Sequence, residues 1–331
     1  MKVFLEKLPL PICGLILGIA SLGNLFKAIG FTAAGNGWGI LSLILILLVI
    51  AKIAVHFKNS MMDLNDPVIA SVAPTFTMSL MIISTFLKAW GLPVVAITLW
   101  TAAVILQFVI MGYFVYRHLL RPVVQLDHVY PSWFVTFVGI GVIPVTANNF
   151  IPAIGTPILW LSLGLYAILL PIVCIRLLRR EFMFEATLPL LTIMAAPASL
   201  CLTGYLSMNS APAWTFSLIM VLLAQGLYWG TLLKIVKYVR LSFYPSFGAF
   251  TFPLVISATA LNLWNHSFNL ANGLNAVIGI VADVEITLAT LMVAFVVVRY
   301  GKFLVKLAVD ALQSKKKSSL QKMKQLVNKL E

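Results

Sequence analysis

The 331 residues are 61% hydrophobic and only 10% charged, with a mean hydropathy of +1.02. That is far more apolar than the roughly half-apolar composition of a soluble domain, so a water-soluble globule is excluded. The net charge of +13 does not indicate nucleic acid, because the lysines and arginines punctuate apolar runs instead of clustering on one solvated face.

Taken in chain order, apolar segments of about 20 residues, the length that crosses roughly 30 Å of hydrocarbon, recur almost throughout. Ten are expected: Leu8 to Ala28, Gly37 to Phe57, Val68 to Leu87, Leu92 to Tyr116, Pro131 to Phe150, Pro157 to Leu178, Thr187 to Ser207, Trp214 to Tyr238, Ser246 to Phe268 and Ala276 to Val298. Lys2 and Lys7 before the first segment suggest a signal peptide, but its apolar stretch runs on through Leu25, so it reads as a retained span. The sequence therefore predicts an all-α integral membrane protein with a ten-helix transport domain over 1–300 and a basic tail over 301–331.

Basic residues close the even-numbered spans: Lys52 and Lys58, Arg117 and Arg121, Arg176, Arg179 and Arg180, Lys234, Lys237 and Arg240, and Arg299 and Lys302. Only Lys27 and Lys88 fall on the other side. Because Lys and Arg in short loops stay cytoplasmic, both termini are expected inside, in the inner (cytoplasmic) membrane of the cell. In the tail, Lys315, Lys316 and Lys317 precede Leu320, Met323, Val327 and Leu330 at three-four spacing. That pattern suits either an amphipathic helix on anionic lipid or beside a neighbour, or a solvated tail.

Each odd-numbered span carries a proline, at Pro11, Pro74, Pro144, Pro197 and Pro253, whereas among the even ones only Pro171 lies well inside. An interior proline removes a backbone hydrogen bond and bends its helix. Five degenerate hairpins in series would set five kinked helices around a central pore, their freed carbonyls and small side chains turned inward and the straighter helices against lipid. The alternative is that these are ordinary membrane-helix prolines.

The opening run PLPICGLILGIASLGNLF, Asp66-Pro67-Val68, Ala195-Ala196-Pro197 and Phe250-Thr251-Phe252-Pro253 together resemble the tellurite-resistance/dicarboxylate transporter family. That family includes TehA-like proteins, fungal malate permeases and plant slow anion channels, and the likeness covers roughly Leu8 to Val298. It implies a homotrimer, one pore per protomer lined by the odd helices, and an aromatic gate matching Phe252; Phe250, two residues away and so pointing elsewhere on a helix, is a possible secondary gate. A phenyl ring at a narrow point closes a pore by steric block and dewetting; the competing reading of Phe252 is a packing or lipid-facing side chain. Where plant members open the third span on a His-Pro-Val-Arg-like run, this chain has Asp66-Pro67-Val68-Ile69, which puts their phosphorylation-switched chloride behaviour in doubt here.

The odd spans hold almost no ionisable group, so small anions would be selected by size and ease of dehydration. Asp283 and Glu285, inside the tenth span, are the exception and mark possible proton coupling, unless polar neighbours such as Asn272 or Asn275 solvate them or the span starts later. Cys13, Cys174 and Cys201 lack metal or redox spacing. His56, His118, His128 and His266 lie at span ends or loops, and neither a protease constellation nor a Walker run occurs. No enzyme activity, cofactor or metal is expected. The readings left open are a gated anion channel, a proton-coupled organic-acid carrier and an exporter of toxic compounds.

Overall fold

The protein is described by a computed structural model. It covers residues 2–121, 126, 129–179, 183–270 and 273–327, with side chains as far as residue 313. Among these residues all regular structure is helical. Arg180, His128, Asn272, Leu330, and the side chains of Lys315, Lys316, Lys317, Leu320, Met323 and Val327 lie outside the described residues.

Among the described residues, apart from the short helices Lys2–Lys7 and Phe57–Asp63, the helical segments follow one another in chain order. They are α1 (Ile12–Ala28), α2 (Thr32–Val55), α3 (Pro67–Ala89), α4 (Pro93–Leu120), α5 (133–147), α6 (Pro152–Leu178), α7 (Glu185–Met208), α8 (Trp214–Tyr238), α9 (Pro245–Ser267) and α10 (Leu274–Val327). Eight are long and apolar enough to cross a membrane. The first and fifth expected spans fall short for separate reasons. Pro9 and Pro11 delay the start of α1, leaving 17 residues. In α5 the helix breaks into Trp133–Phe137, a 3-10 turn Gly139–Gly141 and Val142–Ala147, because paired glycines and Pro144 weaken the α-helical ladder.

Odd and even segments differ in burial. In the apolar windows of α3, α7 and α9, 67%, 89% and 72% of residues are buried, against 28–33% in α2, α4, α6, α8 and α10. The even segments present large aliphatic side chains outward, such as Ile44 and Leu47 on α2 and Ile219 and Leu222 on α8, as helices facing lipid do. Pro171 sits on such an exposed surface of α6.

Each odd segment packs on the even one that follows it, and the odd segments also pack on one another in a closed order: α1 on α3, α3 on α5, α5 on α7, α7 on α9, and α9 back on α1. A side-chain hydrogen bond marks every joint. Asn24 Nδ2 donates to Thr85 Oγ1 (2.9 Å), Thr136 Oγ1 to Ser71 O (2.9 Å) and Asn148 Nδ2 to Ser207 O (2.6 Å). Thr192 Oγ1 donates to Ala249 O (2.6 Å) and Thr251 Oγ1 to Gly14 O (3.1 Å). In an apolar surround such bonds replace water that is not there.

The prolines fall where the inner segments change character. Pro11 is the residue before α1, and Ala73–Pro74 separates two α-helical pieces of α3. α7 is 3-10 over Glu185–Ala195 and α-helical from Ala196, with Pro197 in its first turn; α9 repeats this with a 3-10 run Pro245–Phe250 and an α-helix from Phe252 with Pro253. Proline in a first turn forfeits no bond, since that N–H has no partner in the helix. Asp66 caps α3, accepting from Val68 N and Ile69 N at 2.8 and 3.0 Å, with Pro67 at the first helical position.

α10 runs unbroken past residue 301 to Val327. About 20 residues suffice to cross the hydrocarbon, so its last turns extend well beyond it. Lys52 is not a solvated flanking cation: it is buried, its Nζ donating to Leu8 O at 2.6 Å and pairing with Asp63 Oδ2 at 3.1 Å. It thereby ties the end of α2 to the entry of α1 and to the short helix Phe57–Asp63.

Candidate functional site

Inside the ring of odd segments lies a cavity of ≈ 70 Å³. Its wall is drawn from α1 (Gly14, Leu17), α3 (Val72, Met78), α5 (Phe134, Val138), α7 (Pro197, Leu200) and α9 (Phe252, Pro253), with Pro11 at the entry of α1; among the described residues none of an even-numbered segment takes part. That volume holds a few waters at most, since one needs about 10–15 Å³.

The wall is apolar for a local reason. Among the described residues the hydroxyl side chains on it are Thr75 and Ser246, both committed to backbone carbonyls, Thr75 to Val72 O (2.7 Å) and Ser246 to Ala186 O (2.5 Å). Elsewhere in the inner segments the same device recurs: Thr77 donates to Pro74 O (2.8 Å), Thr192 to Pro189 O (2.8 Å) and Thr251 to Gly248 O (2.7 Å). Hydroxyls of the inner segments thus bond back to carbonyls one turn earlier, and Thr192 Oγ1, in bonding Ala249 O (2.6 Å), also takes up the carbonyl four residues before Pro253.

The site residues named from the sequence separate into groups. Phe252, Pro253, Pro197 and Pro11 line the cavity together. Pro74 and Pro144 are buried outside the lining, Pro144 against Gly204 of α7. Phe250 is fully buried in packing, its ring 5.0 Å from Phe247 in an edge-on contact. Phe252 stands on the first turn of the α-helical part of α9, just past the 3-10 run Pro245–Phe250.

Asp283 and Glu285 also part. Asp283 is exposed on the outer side of α10, whereas Glu285 is fully buried. Both Glu285 oxygens, the Tyr228 hydroxyl of α8 and the Ser257 hydroxyl of α9 lack a hydrogen-bond partner at bonding geometry among the described residues. Gln225 and Ser257 are the polar neighbours of Glu285, and Tyr228 faces it as well.

Sequence reading missed Phe134, a second aromatic side chain on the wall, held edge-on to Tyr166 of α6 with ring centroids 5.9 Å apart. Nothing distinguishes it in the sequence from the other 20 phenylalanines.

Residues 8–300 match the model of a family described as voltage-dependent anion channels. The chain belongs to that family. It is the group that also holds the tellurite-resistance/dicarboxylate transporters, which the inner-segment motifs resemble. Two relatives come from Methanocaldococcus jannaschii. Uncharacterized transporter MJ0762 is 24% identical over 257 residues, covering 68% of this chain and 72% of that protein. Uncharacterized transporter MJ0576 is 25% identical over 234 residues, covering 60% and 65%. Membership and the multiple apolar helices make this a membrane protein of an anion-transporting family, and point to a transporter or channel instead of an enzyme.

Proposed function

We propose that the chain conducts small anions across the cytoplasmic membrane through a pore enclosed by its odd-numbered segments and gated by Phe252. The observation that carries this reading is the cavity walled by α1, α3, α5, α7 and α9 alone, with Phe252 on its wall. On this reading all ten segments cross the bilayer as five hairpins. The short α1 and α5 are lengthened by their flanking turns and by 3-10 geometry, which rises about 2.0 Å per residue against 1.5 Å for an α-helix.

A narrow apolar wall with an aromatic ring closes a pore by steric block and dewetting, and the absence of a charged side chain from the lining leaves selection to dehydration. Inorganic anions, C4-dicarboxylates and oxyanions are the candidate substrates. Phe250, packed on Phe247, would support the gate from behind. The basic ends of the even segments favour cytoplasmic termini, with 1–300 as the transport domain and 301–331 as a cytoplasmic extension. A homotrimer follows from the family resemblance, and the exposed Asp283 supports it, because a carboxylate facing bare lipid is costly and a neighbouring protomer would cover it.

The test is anion current through purified protein in planar bilayers, wild type against Phe252→Ala, in chloride, nitrate and malate at two pH values. A gain of tenfold or more in the variant is expected. A second reading, a proton-coupled carrier or exporter of organic acids or toxic compounds, is favoured by the buried carboxylate of Glu285 among unpartnered hydroxyls. It replaces the first if neither protein conducts while malate uptake into vesicles saturates and follows the proton gradient.

A further inference from the structure

A second cavity, larger than the first at ≈ 380 Å³, lies on the opposite side of the inner wall. Its sides are the outer segments α2 and α4, through Ile53 and Ile110; its floor is Cys13 of α1 and Phe76 of α3; and the short helix Phe57–Asp63 closes one end with Ser60 and Met61. The floor is deep, with Cys13 only 2% exposed, while Ile50, Phe57 and Leu106 at the rim are exposed to the surroundings of the protein. The cavity is therefore a slot that opens between two lipid-facing helices and reaches the inner ring.

Three features decide what fits it. The slot penetrates between packed helices, and a helix of a second copy, about 10–12 Å across with its side chains, is too thick to follow it to the floor. A hydrocarbon chain is not, and the volume falls within the roughly 300–1,000 Å³ of small-molecule sites. Next, the slot holds one polar group without a partner: Ser60 is 1% exposed and its hydroxyl has no hydrogen-bond partner among the described residues. A buried hydroxyl left unpaired is costly, and the ester carbonyl at the head of an acyl chain would accept from it. Finally, the closing helix has the character of an interfacial one, exposing Phe57, Met61 and Met62 beside Lys58. Arg117, which donates to Asn65 Oδ1 at 3.4 Å just past that helix, is a second cation at this end, where the carboxylate of the closing helix, Asp63, is already paired with buried Lys52.

We propose that this slot binds one acyl chain of an anionic phospholipid, its ester carbonyl at Ser60 and its headgroup at the basic rim. The inference rests on the reading of the chain as membrane-embedded, not on the pore or its gate. The bound chain would press on the back of the inner wall. Leu10 and Cys13 flank Pro11, and Ala73 stands between Val72 and the Pro74 break, so both segments face the slot on one side and the central cavity on the other.

The experiment uses the full chain in nanodiscs containing phosphatidylglycerol with a photoactivatable diazirine in one acyl chain, with adducts mapped by mass spectrometry. Adducts on the floor, at Cys13 and Phe76, are expected at several times the yield seen with a phosphatidylcholine probe. They should be lost in Ala54→Trp, which blocks the rim at an exposed position, or in the smaller Ala54→Phe if the first variant folds poorly; labelling of outward residues such as Ile168 on α6 should persist. Labelling confined to outward residues and indifferent to Ala54 would overturn the site. Equal floor labelling by both probes would overturn the anionic headgroup. Loss of floor labelling whenever two copies are cross-linked through Ile50→Cys would overturn the lipid in favour of a second copy. Since the readout is labelling and not flux, failure of the pore reading leaves this test intact.

Discussion

Gly18 and Thr251 meet where the first inner segment closes on the last: a Cβ placed on Gly18 would lie 2.2 Å from Thr251 Oγ1 and 2.4 Å from its Cβ. No side chain fits there, and the contact sits one residue from Phe252, whose backbone N would be 3.1 Å from the added carbon. Gly18→Ala must therefore push α9 outward. Overpacking of this kind costs about 1–3 kcal/mol, read as a lowered Tm in detergent. Thr251→Ala does not rescue it, because the offending Cβ remains. If Phe252 is the gate, its displacement should also raise resting anion leak, measured as chloride efflux from liposomes.

Phe250 and Phe252 make a matched pair of opposite expectations. Phe252→Ala removes a ring from the wall of an apolar cavity and should raise conductance, at a smaller loss of stability than Phe250→Ala because part of the ring, though only 7% exposed, borders the cavity. Phe250→Ala removes a fully buried ring from its contact with Phe247. Truncations of this kind cost about 3–5 kcal/mol, so this variant should melt early and gain no conductance when assayed below its melting range. Reversed outcomes in the two variants would reassign the gate to Phe250.

Lys52 offers a test of the inner ring's anchorage. Its ammonium satisfies the Leu8 carbonyl at the entry to α1 and pairs with Asp63, whose side chain is 38% exposed. Lys52→Met leaves that carbonyl without its donor and should cost about 1–3 kcal/mol, the usual penalty for a stranded buried group. Asp63→Asn should cost less than about 1 kcal/mol, because the carboxylate is partly hydrated and Lys52 keeps its bond to Leu8. Thermal melts of the two variants, ordered in this way, check the assignment; equal losses would mean that the ion pair dominates.

The more buried odd-numbered segments are also those that carry the five prolines, and a physical reason links the two: proline is tolerated where a helix begins anew, and these segments restart near their prolines. Helical periodicity could not have revealed that difference in burial. The inner segments are buried all round and the outer ones touch protein on one side and lipid on the other, so both read as apolar throughout. For the same reason Phe134 could not be told from any other phenylalanine, and the short α1 and broken α5 looked like full spans. That the hydroxyls of Thr77, Thr192 and Thr251 turn back to carbonyls three residues earlier is a pairing that only local geometry reveals. Burial of Lys52 was hidden likewise, since the positive-inside rule counts charge and not contacts.

Asp283 and Glu285 are two residues apart, and a two-residue step on a helix turns the side chains to different faces. Only Glu285 enters the protein, where α8 supplies Tyr228 and Gln225 and α9 supplies Ser257. If anion movement is linked to protons, Glu285 is the group that carries the link, because α9 bears both Ser257 and the proposed gate, Phe252. The expectation is that transport by the wild type changes severalfold between pH 5 and pH 8 in liposomes of fixed membrane potential, that Glu285→Gln abolishes the change, and that Asp283→Asn preserves it. Tyr228→Phe should shift the midpoint without removing the dependence, since it deletes one neighbour of the carboxylate and leaves the titrating group in place. A pH-independent wild type would set the proton-coupled reading aside and leave Glu285 as a packing carboxylate, whereas loss of the dependence in Asp283→Asn alone would move the link to the outer face of α10.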